Sequence, residues 1–235
     1  MHLNQSMELN KRIVVFDFCE TLVDIQTADK FIDYVIEKEN YRKYAVINSI
    51  IFLLTRSRAL ALINKFFPKL NLSKRLKLYQ IKGISSAIIN TLAIRYYNEI
   101  LVHHKIVPIH ELLLSHIANK DHVIIVSGGF APYISYFSKV YQIQFSVATE
   151  IEFHKNKATG KFSGKDCLFD QKVILIEKYL KNNSILYDES VVYTDSIMDL
   201  PLLLWADTAY VVSYNKSQNW AVERGFKEII WKHDL

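Results

Sequence analysis

The chain has 235 residues, half of them hydrophobic and 13% aromatic, which suits one packed domain or a core with a substantial insertion and excludes a disordered polypeptide. A formal charge of +5, spread over scattered lysines and arginines, fits anionic partners; no zinc-finger or RNP pattern accompanies it, so no nucleic-acid partner is expected. Two cysteines, Cys19 and Cys167, exclude a disulfide framework, and the polar opening has no apolar signal segment. With no run of about 18 apolar residues either, a cytoplasmic location is expected.

In chain order, residues 13–16 form a short β-branched-rich run that reads as a buried strand, halted by Asp17, with Glu20 and Thr21 in the loop beyond. A carboxylate that closes a buried strand is costly unless hydrogen-bonded, paired or bound to metal. Residues 27–118 then carry almost no strand signal. Apolar side chains recur there at helical spacing (Phe31, Tyr34 and Val35; Ile47, Ile50 and Ile51), and a longer helix is expected over about 85–103. The block reads as an all-helical insertion. Its most apolar piece, residues 45–54, fits a buried helix; the basic residues Arg56, Arg58, Lys65 and Lys69 leave membrane-surface contact as the alternative.

Strand and helix alternate from there. A second buried strand at 122–126 runs into Ser127, Gly128 and Gly129, and a helix follows over 131–141. Residues 144–162 read as a β-hairpin or arm, and 170–181 as a helix. A strand at 190–193 ends in the run Thr194-Asp195-Ser196-Ile197-Met198-Asp199. A helix at 200–205, a last strand at 209–212 and a polar helical tail complete the chain. Strands separated by helices predict a parallel α/β sheet of Rossmann-like form.

If the strands are parallel, their carboxyl ends share one sheet edge, where such folds bind ligands. Asp17, the Ser127-Gly128-Gly129 run, and Asp195 with Asp199 then converge, with Lys172 near the start of an adjacent helix. Asp17 and Asp195 make a hard oxygen pair suited to Mg2+. Ser127 and the Gly128 amide form a neutral cradle, and Lys172 supplies a point charge for a phosphate oxygen or for Asp17. An aspartate beside a cation and a metal can attack phosphorus. Each piece alone also fits a plain turn or helix end; the order of all of them makes the pattern specific.

The stretches FDFCETLV, IIVSGGF, Lys172 and YTDSIMDLPLL resemble the haloacid dehalogenase superfamily, in its phosphoserine-phosphatase-like subgroup with a helical cap. The resemblance implies a core of residues 1–26 and 105–235 and a cap of 27–104. It implies Asp17 as nucleophile and Mg2+ held by Asp17, Asp195 and the backbone carbonyl of Cys19, with Asp199 supporting the metal. Ser127, Gly128, Gly129 and Lys172 would hold the phosphoryl group of a small phosphorylated metabolite, with Thr21 nearby. The first stretch is also similar to phosphatases of bacterial capsule and surface-polysaccharide synthesis.

One position departs from the pattern. Where such phosphatases carry a second aspartate as general acid and base stands Cys19, followed by Glu20 in place of glycine. A thiol with an ordinary pKa near about 8.5 is a poor donor to an alkoxide, and losing such a group costs roughly 10²–10⁴-fold. Glu20 taking over the role, a substrate with a good leaving group, and a silent phospholigand-binding relative all fit the sequence. A lipid-phosphate phosphatase at a membrane surface is a further alternative.

Overall fold

The computed structural model describes residues 9–39, 66 and 70–233. Its centre is a six-stranded, all-parallel sheet in the order β3-β2-β1-β6-β7-β8. The strands are β1 (Leu9–Phe16), β2 (His122–Phe130), β3 (Phe145–Thr149), β6 (Leu186–Thr194), β7 (Thr208–Tyr214) and β8 (Lys227–Trp231). A separate antiparallel hairpin pairs β4 (Ile151–His154) with β5 (Lys157–Phe162), as the turn-rich segment between them predicts.

Both sheet faces are covered, which is why the strand cores read as continuous apolar runs rather than alternating ones. On one face Val14 and Phe16 of β1 and Val123 and Ile125 of β2 join a core built with helices α1 (Thr27–Lys38), α2 (Leu72–Tyr79), α3 (Ser86–Glu99), α4 (Val107–Ala118) and α5 (Ala131–Val140). On the other, Ile13, Val15, Ile124 and Val126 pack with α6 (Asp170–Asn182), α7 (Leu200–Trp205) and α8 (Asn219–Glu223). The described part of the helical insertion thus shares one apolar core with the sheet: Phe31 of α1 lies 5.0 Å from Tyr133 of α5, and Tyr96 of α3 lies 5.5 Å from the same ring.

Two differences from the sequence reading concern the ends of elements. The tail expected to be helical instead carries the short α8 and then β8, which pairs with β7 through Tyr210–Tyr214. Its run KEIIW is short, with an exposed Lys227 and half-exposed flanks, because β8 is an edge strand. β3, expected as part of the arm, belongs to the main sheet beside β2. Residues 45–54, with their expected bundle helix or membrane contact, lie outside the described residues. No described helix is long and apolar enough to cross a membrane.

Candidate active site

Register puts Phe16 of β1 opposite Tyr193 of β6, so Asp17 and Thr194 leave adjacent strands side by side. The Asp17 amide donates to the Tyr193 carbonyl (2.9 Å), anchoring this turn to β6. Asp17 is 6% exposed and its side chain opens on a cleft of about 340 Å3. Cys19, Glu20, Gly128, Lys172, Asp195 and Asp199 line the same cleft, so the sequence-predicted groups from four segments do meet there. Thr21, Ser127 and Gly129 lie buried behind its wall.

Lys172 is the centre of charge. Its ammonium is 3.0 Å from Asp17 Oδ1 and 2.6 Å from Asp199 Oδ2, and the residue is 2% exposed. Asp17 Oδ1 also accepts from the Phe18 amide (2.7 Å). Asp199 Oδ2 additionally accepts from Thr194 Oγ1 (2.6 Å), so that oxygen is turned to Lys172 and Thr194. Asp195 is held differently: Thr21 Oγ1 donates to its Oδ1 (3.1 Å) and accepts from its amide (3.0 Å).

One ammonium thus faces more than one buried carboxylate. Burial pushes Asp17 up to about 7, with the charge of Asp199 adding and that of Lys172 opposing. Asp195 is pushed well above the usual carboxylate range by burial, then by the charges of Asp17 and Glu20. Burial works against the Lys172 ammonium, but Asp17 and Asp199 outweigh it and hold its pKa above the ordinary lysine value. Carboxylates this poorly compensated suit a divalent cation. Among the described residues no three His, Cys, Asp or Glu side chains form a metal cluster by themselves.

The cradle is built at the end of β2. Ser127 Oγ accepts from the Gly129 amide (2.8 Å), and the β2–β3 register shifts over Ser127–Phe130. Close approach favours glycine at Gly129, where a Cβ would meet the Tyr133 hydroxyl held by Thr27 and the Phe130 amide; at Gly128 a Cβ would meet only the movable end of Leu168.

Cys19 and Glu20 diverge. Cys19 Sγ lies 2.9 Å from Thr27 Oγ1, which lies 2.7 Å from the Tyr133 hydroxyl, so the thiol is tied to the first turn of α1. Burial, then the nearby Asp17, push it up to about 11. Such a thiol stays protonated and is a weak acid. Glu20 takes a left-handed backbone (φ 54°), a strained conformation for a side-chain-bearing residue, and Gln26 Nε2 donates to its carboxylate.

The sequence reading missed a second buried lysine. Lys74 of α2 also lines the cleft; its ammonium donates to the Gly128 carbonyl (2.5 Å) and Thr149 Oγ1 (2.8 Å) and pairs with Asp166. Asn71 Nδ2 donates to the other Asp166 oxygen (2.9 Å). The rings of Phe130 and Phe162 flank the ammonium, each with its centroid 5.1 Å away. Burial lowers the Lys74 pKa, against the opposing charge of Asp166. The signal in the chain, one of three basic residues in SKRLKLY, does not distinguish it from Lys77. Asp29 of α1 also lines the cleft, its carboxyl raised by burial; the segment reads as an ordinary helix start.

The fold recurs in solved structures at low identity. A protein of unknown function from Bordetella pertussis Tohama I superposes with a TM-score of 0.73 at 18% identity, covering 94% of this chain and 98% of its own. A substrate-bound phosphoserine phosphatase gives 0.60 at 17% identity, covering 94% of each chain. A probable phosphoserine phosphatase from Vibrio cholerae gives 0.60 at 16%, over 91% of this chain and 58% of that one. No curated protein sequence matches. A family model described as haloacid dehalogenase-like hydrolase matches residues 14–204, which include each of the strand ends and helices that converge on Asp17, and the chain belongs to that family.

Proposed function

We propose that the protein is a Mg2+-dependent phosphatase that hydrolyses a small phosphate monoester through an aspartyl-phosphate on Asp17. The observation that carries this reading is the Asp17–Lys172–Asp199 arrangement beside Asp195 and Gly128: a buried carboxylate, an ammonium and a glycine cradle on one cleft. Lys172 and the Phe18 amide both bond Asp17 Oδ1, which fixes the carboxylate and leaves its other oxygen to attack phosphorus. As the Asp17 O–P bond forms, the ester P–O bond breaks and the departing alkoxide takes a proton. We assign that proton to Glu20, which lines the cleft in a strained backbone, rather than to the high-pKa thiol of Cys19. Water then attacks phosphorus, gives its proton back to Glu20, and phosphate leaves with Asp17 restored. Asp17, Asp195 and the Cys19 carbonyl would hold Mg2+, which supplies charge for the phosphoryl oxygens, with Asp199 setting Lys172 behind them.

In this reading residues 27–104 act as the cap over a core of 1–26 and 105–235, the enzyme is cytoplasmic, and the similarity of FDFCETLV to capsule and surface-polysaccharide phosphatases supports a role in supplying a dephosphorylated building block. The test is phosphate release from a panel of alkyl phosphates plus an aryl phosphate, with Mg2+ and with EDTA, for wild type and Asp17→Asn. Mg2+-dependent release lost in the variant supports the proposal. The specific observation that favours a second reading, a phospholigand-binding protein without turnover, is the Cys19 thiol where an acid is expected. No release from any ester by folded, Mg2+-binding protein would establish it.

A further inference from the structure

Lys74 lines the Asp17 cleft, yet it has no hydrogen left to give a ligand. Its three ammonium hydrogens meet three acceptors: the Gly128 carbonyl (2.5 Å), Thr149 Oγ1 (2.8 Å) and Asp166 Oδ1. Asp166 also cancels its charge, and both side chains of this pair are under a tenth exposed. A lysine saturated and neutralised in this way can act on a ligand only through the groups it holds.

The group it holds on the cleft side is the peptide between Gly128 and Gly129. The β2–β3 register shifts between Ser127 and Phe130, so the regular ladder is interrupted at this peptide. Side chains bond both of its ends: Lys74 donates to the carbonyl, and the amide, that of Gly129, donates to Ser127 Oγ (2.8 Å). Thr149 Oγ1 stands 3.5 Å from the same carbonyl but gives its one hydrogen to Asp166 at 2.5 Å, so the strong side-chain donor there is Lys74. A cation on a peptide oxygen polarises the whole peptide and makes its N–H a better donor. The ammonium of Lys74 therefore tightens the bond from Gly129 to Ser127.

That bond decides what the Ser127 hydroxyl can do. A hydroxyl has one hydrogen and two lone pairs. Gly129 occupies a lone pair, which holds the oxygen toward the peptide and leaves the hydrogen free. Ser127 is fully buried, and among the described residues nothing accepts that hydrogen. A buried donor without an acceptor is costly until a ligand oxygen meets it. The next residue, Gly128, lines the cleft, where a phosphoryl group would bring oxygens that only accept.

We propose that Lys74 is a positioning residue for phosphoryl binding: through the Gly128–Gly129 peptide it holds Ser127 as a hydrogen-bond donor to a phosphoryl oxygen. As a statement about ester hydrolysis this rests on the phosphatase reading; as a statement about phosphate binding it does not.

The test is a double-mutant cycle on the full chain, read by calorimetric titration with inorganic phosphate in the presence of Mg2+. The variants are Ser127→Ala, the pair Lys74→Met with Asp166→Leu, and all three changes together, each checked for an unchanged circular dichroism spectrum. Losing a hydrogen bond to a charged group, Ser127→Ala should weaken phosphate binding about tenfold or more. The lysine–aspartate pair should weaken it about threefold or more in the wild-type background, and hardly at all in the Ser127→Ala background. Equal losses in the two backgrounds overturn the proposal, because Lys74 then acts on the ligand by another route. No loss from the pair in the wild-type background overturns it too, because the lysine is then structural only. If the apolar pair does not fold, Lys74→Gln with Asp166→Asn takes its place, with the same dependence on Ser127 expected. Wild type that binds no phosphate overturns the proposal outright. Hydrolysis of an aryl phosphate separates the two claims: coupled binding without turnover refutes the phosphatase reading alone, and turnover with uncoupled losses refutes this proposal alone.

Discussion

The ammonium of Lys74 on α2 lies 2.5 Å from the carbonyl oxygen of Gly128, fifty-four residues further along the chain, and fixes the peptide that starts the cradle. The same ammonium pairs with Asp166, and both side chains are under a tenth exposed. Removing one partner of a buried pair leaves an uncompensated charge and typically costs about 3–5 kcal/mol. Lys74→Met is expected to lose stability of that order in urea unfolding and to raise KM for phosphate esters more than it lowers kcat. Combining it with Asp166→Leu should recover most of the stability but not the KM.

Glu20 sits at φ 54°, where glycine is unstrained. Glu20→Gly is therefore expected to raise stability by about 0.5–1 kcal/mol. If Glu20 is the proton donor, the same variant loses roughly 10²–10⁴-fold in turnover of an alkyl phosphate and far less with an aryl phosphate, whose leaving group needs no proton. Cys19→Asp added to Glu20→Gly should restore part of the alkyl activity. Thermal melts and the alkyl-to-aryl ratio check all of this.

Mg2+ is expected to stabilise the protein. Burial raises both Asp17 and Asp195, with the charge of Asp199 adding at Asp17 and those of Asp17 and Glu20 at Asp195, and a ligand that binds only the folded state at a hundred times its Kd adds about 2.7 kcal/mol. The melting temperature should rise with Mg2+ and fall back with EDTA. In Asp195→Asn the rise should be absent; an equal rise in that variant would place the ion elsewhere.

His110 on α4 sets an acid limit. It is 6% exposed, its Nε2 has no partner among the described contacts, and burial, then the charge of Lys105, lower its pKa from 6.5 to about 4. The unfolded chain protonates this imidazole first as pH falls, so between about 6.5 and 4 it binds more protons than the folded chain and stability drops on acidification. The loss from this group is about 2 kcal/mol at pH 5 and absent above neutrality. Urea midpoints at pH 7.5 and 5 should show it, and His110→Phe should reduce the difference.

What the sequence made legible follows from where information is local. Asp17, Ser127, Asp195 and Asp199 each follow an apolar strand core within a few residues, so a parallel sheet alone brings them together. Lys172 is readable because it lies in the first turn of the helix leading to β6. Lys74 is not, because its partner Asp166 is ninety-two residues away and only the packing of α2 on the arm and β3 joins them. The fate of the Cys19 thiol is equally hidden, since it depends on Thr27 and Tyr133 converging from two helices. β8 escaped notice because an edge strand with few buried positions carries little hydrophobic signature.

The bond from Lys74 to Gly128 also constrains how this architecture can be recombined. A helical segment lacking a lysine at this place would leave Asp166 and Thr149 facing an empty place, so a chimera that exchanges α2 for such a segment must exchange those two residues with it. Helix α2 and the Gly128 turn are, in that respect, a single structural unit joined by one ammonium group.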